Sequence, residues 1–275
     1  MHSPQLFIQG LAAPGGLAFD ADEQLFVAET LEGRIQRISP QGKPLFFAST
    51  GGKPLGIAFD DSNDLFVAEK GHRHLLLISP DATVEVYAHQ CKRKRFTGPQ
   101  DLCLGPTGDL IFTDVGDHHS PSTGSIYSVN IDAETSLLAT GLANPTGLVL
   151  SQDASSLYVI EADQNRVLSL SFKEDGTLAP PQIFIQFTDG GPPRALVFDD
   201  DGRLYITRGG KGLTIADPDG QPITQISIPG NEPSAMVFGG ADFDELYIAE
   251  TSTGTIYRMQ TESPGQRPFA GPRSI

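Results

Sequence analysis

Six prolines organise this sequence. Pro14, Pro54, Pro99, Pro145, Pro193 and Pro233 each open an apolar run, and they recur every 40 to 48 residues. Repetition at that period signals a unit that cannot bury its apolar face alone and must stack on its neighbours. The likeness is plainest between "PGGLAFDADEQLFVAET" and "PLGIAFDDSNDLFVAEK". Each copy has the same parts. A short apolar run such as "GIAFD" is followed by an Asp- or Gly-rich turn and a second run, such as "LFVAE" or "LYVIE". A third run, such as "RIQRIS" or "TIYRMQ", alternates, and a fourth follows another turn. Runs rich in Val, Ile, Phe and Tyr, bounded by Gly, Asp and Pro, read as strands. No stretch of about twelve residues holds a helical period.

Four antiparallel strands repeated six times predict an all-β chain, a six-bladed β-propeller. Residues 1–275 are expected to form a single propeller domain with blades starting near 14, 54, 99, 145, 193 and 233. The sixth copy has three clear strands. Residues 4–10, "PQLFIQG", resemble the fourth strand "PQIFIQF" and are expected to complete it, with "RPFAG" near the C-terminus as the rival segment.

Charge narrows the partners. The formal net charge is −15, which argues against nucleic acid, whose binding needs a basic stripe, and against anionic membrane surfaces. The exception is "KRKR" at 92–95, either a solvated loop or an anion-attracting rim. Two cysteines, Cys91 and Cys103, make no disulfide scaffold. The first residues lack a basic stretch followed by an apolar core, so no secretory leader is expected and a cytoplasmic location is. A small-molecule substrate, possibly anionic, is the expected partner.

Strand direction places the candidate site. The first strand of each copy starts on the face where the second, antiparallel strand ends. The residues after each proline are Gly15, Leu55, Gln100, Thr146, Arg194 and Ser234; those closing the second strands are Glu29, Glu69, Asp114, Glu161, Arg208 and Glu250. Two readings of the acids compete. Polar groups at strand ends cap the turn that follows, whereas clustered carboxylates raise each other's pKa and perform acid–base chemistry or hold cations. Loops on the same face add His72 and His74 in "KGHRH" and His118 and His119 in "VGDHHSPSTGS". Histidine is the usual proton carrier near neutral pH. The doublet, in the longest of these loops, is the candidate for acid–base work or a lid. "DDDG" at 199–202 lacks the spaced oxygens of a calcium loop and reads as a tight turn.

"GPQDLCLGPTGDLIFTD", "NPTGLVLSQDASSLYVIEADQNRVLSL" and "SAMVFGGADFDELYIAET" resemble the gluconolactonase, senescence-marker-protein and luciferin-regenerating-enzyme family of six-bladed propellers. The resemblance runs over nearly the whole chain. It implies lactone hydrolysis with a divalent metal held by a Glu, an Asn and an Asp at the starts of inner strands, and a further Asn that binds substrate. Aligned by motif, the metal positions carry Gly15, Thr146 and Arg194, and the substrate Asn falls on Gln100, beside Asp101. Asn144 lies two residues from Thr146. None of the three metal ligands is kept, and a guanidinium repels a cation by about 4 kcal/mol at ~4 Å and an effective dielectric near 20.

The expectation is therefore a lactone or cyclic-ester hydrolase working without the family's metal. Glu29, Glu69, Asp114, Glu161, His118 and His119 are the candidate proton carriers. Gln100, Asp101, Asn144, Thr146, Arg194, Arg208 and Glu250 are the candidate substrate contacts, with Arg194 binding a carboxylate, phosphate or oxyanion in two-pronged fashion. No cofactor is expected. A divalent ion, Ca or Zn, would need a relocated site built from Asp101, Asn144 or the second-strand acids. Two alternatives stay open: a metal-free isomerase, cyclase or lyase, and a non-catalytic propeller that binds a ligand or a protein.

Overall fold

A computed structural model describes residues 3–39, 41–117 and 119–271. The fold is all-β, a six-bladed β-propeller with four antiparallel strands per blade. Blade two shows the pattern: Pro54–Phe59, Leu65–Glu69, His74–Ile78 and Val84–Ala88 pair in that order. Every residue of its second strand is buried, while the first half of its fourth strand is exposed. That gradient follows from the sequence, since "LFVAE" is apolar up to its last residue and "VEVYA" alternates. The sixth blade comprises Pro233–Gly239, Glu245–Glu250, Thr255–Gln260 and, from the other end of the chain, Gln5–Gln9. The last of these pairs antiparallel with Thr255–Gln260, and the Phe7 ring meets Tyr247 edge to face at 5.2 Å.

The turns between first and second strands form for a local reason. Asp20, Asp60 and Asp199 each accept the amides two and four residues on, at 2.8 to 3.1 Å, and Asp217 does the same between the third and fourth strands of blade five. A side chain that satisfies its own turn needs no metal. The "DDDG" segment is one of these turns, tightened by Arg203, which donates to Asp199 at 2.7 Å. The cationic "KRKR" lies on a two-stranded hairpin, Gln90–Cys91 with Lys94–Arg95. Its turn residues Lys92 and Arg93 adopt φ of 47° and 70°, values that a two-residue hairpin demands and that cost a side-chain-bearing residue strain.

The blades gather into two compact units, one holding blades one to three and the other blades four to six. Within each, apolar clusters fill the space between successive blades. Phe66, Phe96, Phe112 and Tyr127 pack between blades two and three; Leu196, Phe198, Leu204 and Ile206 of blade five pack against Ile160, Val167 and Ile185 of blade four. Each such side chain contributes about 1.5–3 kcal/mol by leaving water. Among the described residues no helix is long and apolar enough to cross a membrane.

Candidate active site

The residues that close the second strands are all buried, between 0% and 3% exposed. Three of the acids share one pattern of partners. Glu69 accepts the amides of Lys53, just before the first strand of its blade, and of Gly71 and His72 in the following turn. Asp114 accepts those of Thr97 and Gly98 before its first strand and of Gly116 after its own. Glu250 accepts the amides of Glu232 and Thr253 and the hydroxyls of Ser252 and Thr253, all at 2.6 to 2.7 Å. Burial pushes the Glu250 carboxyl up, but these donors outweigh it and hold the group below the ordinary carboxylate range.

Glu29 and Glu161 take a neighbouring arginine, Arg34 and Arg166, and Glu29 also accepts Gln36 at 2.9 Å. Arg208 inverts the charge: it donates to the carbonyls of Gly190 and Gly191 and to Asp189, and lies over the Phe187 ring at 4.0 Å. These are the hydrogen bonds of a latch that fastens the end of a second strand to its adjoining segments. Of the two readings of the acids, turn capping is the one their partners fit. The same bonds engage the Arg208 fork with the segment that precedes its blade.

The entries of the first strands behave differently. The pairing shifts register just inside Pro54, Pro99, Pro193 and Pro233, and such bulges re-aim the side chains beside them. The residue two after the proline is Gly16, Gly56, Gly147, Ala195 or Ala235 in five blades and Asp101 in blade three. Small residues let neighbouring inner strands approach; a Cβ on Gly56 would stand 2.4 Å from Asp101 Oδ1. Asp101 is half-buried, and its amide donates to the Thr113 hydroxyl at 3.2 Å. Gln100 beside it accepts from Lys70 Nζ at 3.2 Å.

Lys70 escapes a reading confined to the acids because it merely follows one. The signal lies in comparing that next position across blades: Thr30, Lys70, Val115, Ala162, Gly209, Thr251. Thr30 and Thr251 donate to the carbonyls of Pro54 and Pro14, at the entry of the following first strand, at 2.9 and 2.8 Å. Lys70 makes the equivalent reach, but to a side chain. Burial pushes its ammonium below the ordinary lysine value, against the pull of Asp114. Burial and then Asp101 push the Cys103 thiol up, which disfavours its thiolate.

His118 lies outside the described residues. His119 is exposed, on a loop knotted by its own bonds among Asp117, Ser120 and Thr123. Asn144 is half-buried in a left-handed conformation, φ 54°. The Thr146 hydroxyl is buried with no hydrogen-bond partner. Arg194 is exposed and, among the described residues, pairs with no carboxylate.

The fold is that of a six-bladed propeller, and the sequence assigns its family. Residues 46–252 match the SMP-30/gluconolactonase/LRE-like region, so the chain belongs to that family. It is 26% identical over 232 residues to the lactonase drp35 of Staphylococcus haemolyticus, covering 81% of this chain and 71% of that protein. Among solved structures, a gluconolactonase of Xanthomonas campestris superposes with a TM-score of 0.83 at 21% identity, over 93% of this chain and 88% of that one. A calcium-binding protein, regucalcin, from Agrobacterium tumefaciens does so at 0.84 and 18%, over 99% and 98%.

At the positions that the resemblance aligns with the family's metal ligands, the residues present are poor donors for a cation. Gly15 offers no side chain, Thr146 a lone neutral hydroxyl, and Arg194 a fixed positive charge. Among the described residues, the carboxylate and imidazole groups drawn close enough for a single ion are Glu69, His72 and His74.

Proposed function

We propose that this protein hydrolyses a lactone or related cyclic ester at the entry of the blade-three inner strand, without the family's central metal. The supporting observation is that blade three alone replaces the small residue of the repeat with a carboxylate, Asp101, and that its sequence neighbour Gln100 accepts from the Lys70 ammonium of blade two. In this reading Asp101 takes the proton of a water that attacks the ring carbonyl. The Lys70 ammonium and the Gln100 amide bind the oxyanion that develops. The C–O bond of the ring then breaks, the alkoxide takes up a proton, and a hydroxy acid leaves.

A panel of neutral and carboxylate-bearing aldonolactones tests this with chelator-treated protein. Turnover is expected to persist in excess EDTA, and Lys70→Met is expected to lower kcat by about 100-fold, within the range of a lost oxyanion donor. Turnover that vanishes with EDTA and returns with a divalent ion, or a Lys70→Met protein of full activity, would overturn the reading.

A further inference from the structure

The latches serve as internal controls for one another. In blades one, two and four, the acid that closes the second strand is the cross-strand partner of the residue that opens the third: Glu29 with Arg34, Glu69 with His74, Glu161 with Arg166. In blades one and four that residue is an arginine bonded to the acid's Oε2. In blade two it is an imidazole, which carries no permanent charge near neutral pH. His74 Nε2 lies 3.1 Å from Glu69 Oε2, yet it is buried and makes no hydrogen bond. His72 Nδ1 stands 3.1 Å from the same oxygen. Two ring nitrogens thus converge on one carboxylate oxygen at the place where the sister blades put a cation.

We propose that Glu69, His72 and His74 form a binding site for a zinc-class divalent cation, which takes the place of the arginine in the blade-two latch. The spacing suits such an ion. Zinc with bonds of about 2.0–2.1 Å sets tetrahedral ligands roughly 3.3 Å apart, and the three ligand atoms here lie within 4.8 Å of one another. The His72 side chain is 55% exposed, so its ring turns to complete the set at little cost in packing. The carboxylate is already aimed, because the amides of Lys53, Gly71 and His72 hold it; oriented ligands bind more tightly than free ones. Gly52 leaves the approach clear, since a Cβ there would stand 2.1 Å from Glu69 Oε1 and 2.7 Å from His72 Nδ1. Two imidazoles and a single carboxylate select zinc, nickel or cobalt over calcium or magnesium, which take oxygen ligands. The charge of Arg95 acts on His74 from the adjoining hairpin and limits the affinity.

The site is independent of lactone chemistry, and its test does not use activity. Zinc is titrated calorimetrically into the chelator-stripped full chain, and Tm is followed with and without zinc. One ion per chain is expected, with Tm rising by roughly 5 °C at a hundredfold excess over Kd. His72→Ala is expected to weaken binding by about 100-fold. His74→Arg restores the residue of blades one and four. It is expected to fold with a Tm at or above that of the stripped protein and to lose the zinc response. Calcium is expected to move Tm in neither protein. A stripped wild type with no zinc-dependent rise in Tm, a His74→Arg protein that binds zinc as tightly as wild type, or calcium acting as well as zinc would each overturn the assignment.

Discussion

Each latch acid carries a cost that its donors must offset. A buried carboxylate is unfavourable unless hydrogen-bonded, and bonds to a charged group contribute about 1.5–3 kcal/mol each. Glu250 collects four donors, and its folded pKa falls below the ordinary range. The sign of the linkage follows. A depressed folded pKa adds stability that is present above the unfolded value, about 4.3, and is lost as pH falls through the folded value. Glu250→Gln is therefore expected to lower stability by about 1–3 kcal/mol at pH 7, with the difference from wild type shrinking as pH falls below about 4. Denaturant melts of the two proteins at pH 7 and pH 3.5 measure it. A deficit that stays constant over that range would mean the carboxylate's charge has no part in the latch. At this scale the sequence was only partly legible. That Glu69, Asp114 and Glu250 end strands could be read directly. Their principal donors are backbone amides, which carry no signature in residue type, so residue type alone does not separate capping from catalysis.

At the scale of the strand, the proline-aligned repeat made most elements legible, because apolar runs and turn residues recur in step six times. What the period could not supply was the bulge beside the inner-strand prolines, which depends on a local shift of pairing rather than on residue type. The hairpin at Gln90–Cys91 and Lys94–Arg95 was also hidden, since its two turn residues lack the Asn-Gly chemistry that marks such turns. The strand Gln5–Gln9 carries a separate consequence. It covers the hydrogen-bonding edge of Thr255–Gln260 and places Phe7 against Tyr247 and over Arg258. Removing residues 1–10 leaves that edge bare, and bare edges recruit other chains. The truncated protein is expected to melt lower by about 10 °C and to form soluble aggregates on gel filtration. A truncated chain that melts and elutes like the full one would show that the strand adds nothing to blade six.

At the scale of the whole molecule, repetition is what makes function readable. Five of six first-strand entries carry a glycine or alanine where blade three carries Asp101, and Lys70 alone reaches a side chain of the next blade where Thr30 and Thr251 reach backbone. A departure from an otherwise kept repeat has a cost in packing, and such departures are expected at functional sites. The most direct measurement is kcat/KM for lactone hydrolysis after Gln100→Leu and Asp101→Gly together, which give blade three the entry of blade two. The double variant is expected to keep a Tm within a few degrees of wild type and to lose about 1,000-fold in kcat/KM, the order expected when a general base and an oxyanion contact go together. Wild-type turnover from that variant would contradict the account, since catalysis would then reside elsewhere in the propeller.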